Sequence, residues 1–177
     1  WHIVNDSPPY FPYNCFVSWR GRIWSLGAES YSSSDGSTWR KEASSLCGRA
    51  VKFRNGIVVL KGAAVSMTVD GARWSTLTSA APWGDARAEP WLLVHRDRLW
   101  VIGGYSGYDS PDEVLYNDVW SSQDGVTWEL VNANSEWAPR RWATATVYDN
   151  KIFLVGGANP ALWPEEHGNT AEVWFTS

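Results

Sequence analysis

The sequence predicts an all-β protein built from about four repeated units, each a small antiparallel sheet. A Trp closes an Asp-Gly phrase three times, and the chain also begins with a Trp. These tryptophans divide a single domain into repeats 1–38, 39–73, 74–127 and 128–177. Between them lie short runs rich in β-branched and aromatic residues, bounded by turn residues, which is typical of strands. Repeats of this length are typical of solenoids and propellers.

Composition supports a folded domain with an aromatic core. Of the 177 residues, 44 % are hydrophobic and 19 % are charged, which is ordinary for a globular protein. The 14 Trp are unusual, and they predict that large rigid rings pack at equivalent places in each repeat.

Charge and hydropathy exclude two kinds of partner. The net charge is −4 and no run of Lys or Arg exceeds two residues, so we expect no nucleic-acid partner, which would need a concentrated basic face. No stretch of the sequence approaches the roughly 20 apolar residues of a membrane span, so we expect no membrane-spanning segment.

Repeat four shows the strand pattern most clearly. Residues 142–148 alternate in character, residues 149–150 form a turn pair, and residues 151–155 form a short apolar strand that ends at a Gly-Gly pair. After a loop, residues 171–176 form a third strand. Repeat three matches it strand for strand, at residues 91–95, 98–102 and 117–122.

Repeats one and two are shorter versions of the same unit. Both have lost the long loop between the second and third strands. Their first two strands are predicted at residues 15–19 and 22–26 in repeat one, and at residues 49–53 and 57–60 in repeat two.

The Asp-Gly pairs are predicted to be structural turns between the third and fourth strands. A tight hairpin turn needs positive φ, which glycine adopts without steric penalty. Each following Trp then lies on a fourth strand. The turn residues are Asp35, Gly36, Asp70, Gly71, Asp124 and Gly125, and the tryptophans are Trp39, Trp74 and Trp128.

With four short antiparallel strands per unit, Gly-Gly after the second and Trp on the fourth, the chain resembles a kelch-repeat β-propeller. It resembles in particular the bacterial kind whose blades carry Val-Trp-Ser-Ser-x-Asp-Gly-x-x-Trp, present here at residues 119–128. The resemblance spans the chain, is strong from residue 91 onward and is weaker in residues 1–74. It implies a ring of wedge-shaped blades that binds partners on its end faces.

Four blades raise the question of how the ring is closed. Kelch-type rings usually have six to eight blades, and an open half-ring exposes apolar surface on two blade flanks. We favour a homodimer in which two chains form an eight-bladed ring. The alternatives are a fragment of a longer propeller and a four-bladed ring. Residues 1–4 are suited to complete the last blade, of the same chain or of a neighbour.

The two long loops between second and third strands are candidate binding elements, because only repeats three and four project at this position. Exposed aromatic rings beside carboxylates suit a sugar, a cation or a basic protein surface. The candidates are Tyr105, Tyr108, Asp109, Asp112, Glu113 and Tyr116 in one loop, and Trp163, Glu165, Glu166 and His167 in the other. The connections from fourth to first strands, at residues 5–13, 81–87 and 136–141, form a second candidate surface.

The cysteines and histidines of the sequence give little indication of a chemical site. Cys15 and Cys47 fall early in the first strands of adjacent units and are candidates for a disulfide across the central channel, or else small core thiols. The three His show no metal-ligand spacing with each other or with the cysteines, so we expect no metal and no cofactor.

The sequence therefore favours a non-catalytic protein-interaction or scaffold module, periplasmic or extracellular, that docks a protein partner, a second copy of itself, or both. A carbohydrate-binding module is the alternative. Because the resembled family also includes a copper oxidase of galactose and a sialic acid mutarotase, a sugar-active enzyme is a further alternative. For sialidase-type chemistry the relevant arginines would be Arg49, Arg87, Arg140 and Arg141.

Overall fold

The computed structural model describes residues 2–9, 15–42, 46–162 and 169–176. Across these residues the chain forms strands and loops, with no helix. In the same part of the chain, none of the secondary structure is a helix that could cross a membrane.

Four antiparallel sheets follow one another along the chain, and each keeps its strands in sequence order. Blade 1 contains β1 (Cys15–Trp19), β2 (Arg22–Leu26), β3 (Tyr31–Ser33) and β4 (Arg40–Lys41). Blade 2 contains β5 (Arg49–Phe53), β6 (Gly56–Lys61), β7 (Ala64–Thr68) and β8 (Ser75–Thr78). Blade 3 contains β9 (Trp91–His95), β10 (Arg98–Ser106), β11 (Val114–Ser122) and β12 (Glu129–Asn132). Blade 4 contains β13 (Thr144–Tyr148), β14 (Lys151–Val155) and β15 (Val173–Phe175).

The four sheets are arranged in a ring as the blades of a four-bladed β-propeller. The first strands lie side by side around the axis, with β1 beside β5, β5 beside β9, and β9 beside β13. The predicted all-β propeller with about four blades is confirmed. Between β13 and β1 no comparable packing occurs in the described residues, so blades 1 and 4 each keep one flank free of a neighbouring blade.

The core formed by the described residues lies between the blades, in three apolar clusters that each join two neighbours. Blades 1 and 2 share one cluster around Trp24 and Ile57, and blades 2 and 3 share one around Val58 and Leu99. The third joins blades 3 and 4 around Ile152. Because every cluster needs side chains from two sheets, a single blade has no core of its own.

The Asp-Gly turns have one repeated hydrogen-bonding pattern. The Asp35 carboxylate accepts the backbone N–H groups of Ser37 and Thr38, each at 2.8 Å. Asp70 and Asp124 accept the corresponding pairs of N–H groups at the same distance. The glycine that follows each Asp has positive φ, between 77° and 79°. The indole N–H of Trp39 closes its turn by donating to the Gly36 carbonyl at 2.9 Å.

Blade 4 has three strands in the described part of the chain. Residues 2–4 form no strand with β15; the Asn5 side chain donates a hydrogen bond to the Ser37 carbonyl of blade 1 at 2.8 Å. The opening residues therefore do not complete the last blade of the same chain. Trp1 itself lies outside the described residues.

Candidate binding surface

One end of the propeller carries both of the surfaces that the sequence suggests. In an antiparallel blade the first strand begins where the second strand ends, so the two kinds of connection meet. The backbones of Ala88 and Tyr105 pair at 2.7 and 3.1 Å, and those of Arg141 and Ala158 pair at 2.8 and 3.0 Å. The expectation of two separate surfaces is therefore wrong. We call this end, where the first strands begin, the loop face.

Three aromatic rings form a row on the loop face. The ring centroids of Tyr105 and Tyr108 lie 5.7 Å apart, and those of Tyr108 and Trp142 lie 5.5 Å apart. Tyr105 is buried at the base of the row, whereas Tyr108 is 52 % exposed and Trp142 is 51 % exposed. Burial, and then the nearby Glu89 carboxylate, raise the pKa of Tyr105. The row thus presents two open rings on a buried support.

Arg141 holds the two exposed rings in place. Its guanidinium carbon lies 4.9 Å from the Tyr108 ring centroid and 4.4 Å from the Trp142 centroid, within cation–π distance of both. Its terminal nitrogen donates to the Glu113 carboxylate. Both charged side chains are mostly buried, so the pair fixes the long loop of blade 3 against the start of blade 4.

Glu89 and Trp142, just before the first strands of blades 3 and 4, have a strained backbone. Trp142 has φ of +58° and Glu89 has φ of +47°, in the left-handed region that bulky side chains rarely adopt. They occupy equivalent positions, each one residue after the backbone pair that joins a connection to a loop. Backbone strain of this kind is concentrated at functional sites.

A cavity of about 520 Å³ opens beside the row, between blades 1, 2 and 3. Arg49 and Glu89 line it and form an ion pair at 3.7 Å. The Arg49 guanidinium also lies 4.9 Å from the Trp91 ring. A basic and an acidic side chain thus line the cavity, and the basic one also stacks on an aromatic ring.

Both cysteines line the same cavity, and neither is bridged. The disulfide considered from the sequence is therefore not formed. The Cys15 sulfur instead accepts the Ala50 backbone N–H at 3.2 Å, and burial raises the pKa of this thiol. Cys47 is exposed.

The predicted loop residues have different environments. Asp109 and Asp112 are exposed at the loop tip, and Glu113 is paired as described. Tyr116 instead supports the blade, since its hydroxyl lies 3.0 Å from that of Ser106 and its ring covers Arg87 at 3.9 Å. The candidates of the second loop, Trp163, Glu165, Glu166 and His167, lie outside the described residues.

Two of the arginines form the same buried clamp in blades 3 and 4. Arg87 donates to the Gly103 carbonyl at 2.8 Å and pairs with Asp118 at 2.5 and 2.7 Å. Arg140 donates to the Gly156 carbonyl at 2.9 Å and pairs with Glu172 at 2.5 Å. Each carboxylate also accepts an indole N–H, from Trp120 or Trp174 respectively. These arginines hold second and third strands together, and the repetition indicates a structural role.

Sequence reasoning did not single out Trp142 or Glu89 as surface residues. The alternation of residues 142–148 predicted that Trp142 lies within a strand, whereas β13 begins at Thr144. The Arg-Arg-Trp run before that strand was the available signal, because aromatic and guanidinium groups side by side favour stacking.

The chain was compared with protein families, with curated proteins and with solved structures. No protein-family model matches it, and no curated protein matches it in sequence. The solved structure titled "Structure of YjhT" is similar over 88 % of this chain and 61 % of that chain, with a TM-score of 0.68 and 17 % sequence identity. At this identity the likeness shows the propeller fold alone. The kelch motif remains a prediction.

Proposed function

We propose that this chain is a non-catalytic interaction module that docks a protein partner on its loop face, as a subunit or platform of a larger assembly. The observation that supports the proposal is the pair of half-exposed rings, Tyr108 and Trp142, held by the Arg141–Glu113 ion pair. Trp, Tyr and Arg are the residues most often found at the energetic centre of protein interfaces.

Preorganisation supports binding at this place. A ring already held on both sides loses little rotational freedom when a partner covers it, so more of the contact energy is retained as affinity.

The charges suggest the kind of partner. Asp109 and Asp112 are exposed at the rim of the row, so this part of the rim is acidic, whereas Glu89 nearby is paired with Arg49. Charge complementarity favours a partner segment with Lys or Arg around an apolar centre. We place the module in the periplasm or outside the cell, as the sequence resemblance suggests.

A carbohydrate ligand is the second candidate, because half-exposed rings also stack on sugars. A sugar-active enzyme of the kelch type is the third. Arg87, Arg140 and Arg141 are mostly buried and paired with carboxylates, so of the four arginines only Arg49, itself paired with Glu89, has a side chain that is about one-third exposed.

A displayed library of random peptides tests the proposal. The immobilised chain should select peptides that combine basic and apolar residues. Tyr108→Ala should weaken the selected peptides at least about thirtyfold, the loss expected for a hot-spot ring. Tyr148→Ala is the matched control, because this ring is 73 % exposed but lies on the flank of blade 4, and it should leave binding unchanged.

Each other outcome has a clear meaning. Selected peptides that bind Tyr108→Ala and wild type equally would refute docking on the loop face. Binding on a glycan array that is lost with Tyr108→Ala would establish the carbohydrate function instead. Turnover of a glycan substrate would refute the non-catalytic assignment.

A further inference from the structure

The end of the propeller opposite the loop face carries the turns between first and second strands, and we call it the turn face. Each of these turns is two residues long, and its first residue is Arg20 in blade 1, Arg54 in blade 2 and Arg96 in blade 3. All three arginines are exposed. Because the first strands lie side by side around the axis, these residues follow one another along an arc, which we call the arginine arc.

The backbone conformation of the arginine arc is unfavourable for arginine. The φ angles of Arg20, Arg54 and Arg96 are +50°, +51° and +48°, in the left-handed region. The equivalent residue of blade 4 is Asp149, with φ of +47°, and Asp is one of the few residue types that tolerate this conformation. Hairpin turns with positive φ normally contain Asn, Asp or Gly. Three blades thus keep an arginine where the turn itself favours another residue.

Buried aromatic rings support two of the three arginines. The guanidinium carbon of Arg20 lies 4.5 Å from the ring centroid of Trp19, and that of Arg54 lies 4.8 Å from the centroid of Phe53. Trp19 and Phe53 are only 4 % and 2 % exposed, so both rings are fixed in the core. A guanidinium that stacks on a fixed ring loses less freedom on binding, and its N–H edge stays available to a carboxylate.

The polar contacts of the arginine arc leave binding capacity free. Arg54 donates to the Asp97 carboxylate at 3.5 Å, and Arg96 donates to the Asn150 side chain at 3.4 Å. The Asp97 side chain is 75 % exposed, and exposed ion pairs contribute little stability, so a partner's carboxylate can replace this contact. Within the described residues, Arg20 forms no ion pair.

The spacing and the charges indicate the chemistry of the partner. Packed sheets lie about 10 Å apart, and three residues of an extended chain also span about 10 Å. Arginine binds carboxylates through two parallel hydrogen bonds. The three positive charges are separate, Asp97 lies among them, and the chain has a net charge of −4. Discrete carboxylates fit this pattern better than the continuous charge of a nucleic acid.

We propose that the turn face is a second docking surface, which binds an extended acidic segment of a protein partner with one carboxylate on each residue of the arginine arc. The acidic residues of that segment recur at about every third position. This surface lies at the opposite end of the ring from the loop face and takes a partner of opposite charge. The proposal is therefore independent of the function proposed for the loop face.

Peptide selection on a chain with a disabled loop face tests the proposal. A displayed library of random peptides is screened against immobilised Tyr108→Ala, in which the aromatic row no longer competes for peptides. The screen should enrich peptides with several Asp or Glu. Their affinity for the wild-type chain is then measured by fluorescence anisotropy at about 50 mM NaCl, where exposed charges are weakly screened.

Asparagine is the informative replacement in the arginine arc, because it removes the charge and tolerates the left-handed backbone. Arg20→Asn, Arg54→Asn and Arg96→Asn should each weaken the selected peptides at least about fivefold, the loss of one hydrogen-bonded pair. The triple variant should weaken them at least about a hundredfold, if the three contributions add. Circular dichroism should show every variant folded as the wild type is.

Arg73→Asn is the matched control. Arg73 is exposed at the same end of the ring, but it lies in the Asp-Gly turn before the fourth strand of blade 2. The substitution removes the same charge away from the arginine arc, so it should change the affinity less than about twofold.

Three results would overturn the proposal. The first is a library that selects no acidic peptides. The second is a set of acidic peptides that bind the folded triple variant as tightly as wild type, or that Arg73→Asn weakens as much as Arg54→Asn does. The third is displacement of the labelled peptide by single-stranded oligothymidylate at lower concentrations than by unlabelled peptide, which would indicate a nucleic-acid site.

Discussion

At the scale of single residues, backbone hydrogen bonds stabilise the ionised form of the three turn aspartates. Hydrogen bonds from the backbone N–H groups of Thr38 and then Ser37 lower the pKa of Asp35 to about 2. The same kind of bond lowers the pKa of Asp70 and of Asp124. The ionised carboxylate is the form that the turn stabilises, so each turn resists protonation.

This predicts a defined pH dependence of stability. A carboxyl whose folded pKa is depressed stabilises the fold fully above its usual pKa of about 3.9 and loses that contribution as pH falls through the folded value. Asp35→Ala should therefore melt at a lower temperature than wild type at pH 7, and the difference should shrink between about pH 4 and pH 2.

Asp112→Ala is the control for this experiment, because Asp112 is exposed at a loop tip. Its melting temperature should follow that of wild type across the whole range. A difference between Asp35→Ala and wild type that persists unchanged at pH 2 would contradict the assigned role of the carboxylate.

The backbone at Trp142 leads to a second prediction at this scale. A left-handed conformation is roughly 1–2 kcal/mol less favourable for a residue with a Cβ than for glycine. Trp142→Gly should therefore be about 1 kcal/mol more stable to urea than Trp142→Ala, although Gly is normally the worse choice. Equal stabilities, or a more stable Ala variant, would contradict the strain.

Single residues show which features of the structure can be predicted from a short stretch of sequence. An Asp-Gly pair between β-rich runs contains all the groups that form its turn, so the pattern itself predicts the turn. The exposure of Trp142 depends on Arg141 pairing with Ala158 and on Tyr108 from another blade. Those contacts join distant parts of the chain, and no short pattern contains them.

At the scale of elements, the buried arginine clamp organises blades 3 and 4. Arg87 is 3 % exposed at its side chain, and its two hydrogen bonds to Asp118 satisfy a charge that water cannot reach. Removing one partner of a buried ion pair costs about 3–5 kcal/mol, because the other charge stays buried without compensation.

Asp118→Asn should consequently lower the free energy of unfolding by about 3 kcal/mol in denaturant titrations. Glu129→Gln is the matched control in the same blade, because it breaks an ion pair with Arg98 in which Glu129 is 67 % exposed. The control should change stability by less than about 1 kcal/mol. Similar losses in the two variants would refute the clamp.

The sequence predicted part of this element. In the connections before blades 3 and 4, a Trp is followed by an Arg three or four residues later. Recurrence at equivalent places predicts a repeated structural role, with Arg stacked on an aromatic ring. Arg87 does stack on Tyr116, but the carboxylate that neutralises it is 31 residues away (118 − 87). Pairing over such a distance is set by strand register, which hydrophobic pattern alone does not fix for a loop of unequal length.

At the scale of the whole molecule, stability should be uneven along the ring. Within the described residues, blades 2 and 3 pack against neighbours on both sides, whereas blades 1 and 4 each pack on one side. In repeat proteins the free energy of a unit is the sum of its own term and its nearest-neighbour interfaces, so units at the ends open first.

Hydrogen exchange measures this directly. At concentrations where the chain is monomeric, amides of β14 should exchange at least about tenfold faster than those of β6, since local opening there breaks one interface instead of two. Equal amide protection in all four blades would show that the chain opens as one cooperative unit, which would contradict the predicted difference between blades.

The number of blades followed from the spacing of tryptophans, and the structure agrees with it. The manner of closure did not follow, because it depends on which surface meets the bare flanks of blades 1 and 4. That is a property of an encounter between molecules or distant segments, and composition and periodicity describe only the blades themselves.

Trp128 begins a repeat of the sequence, but it lies next to the start of β12, the last strand of blade 3. The repeat of the sequence and the repeat of the structure are therefore out of phase. A segment that runs from one such tryptophan to the next supplies the outer strand of one sheet and the three inner strands of the sheet after it. A gene duplication that copied this segment would add a blade to the ring and keep a Trp next to every fourth strand. A duplication with other boundaries would instead interrupt a turn and leave one of these Trp positions empty.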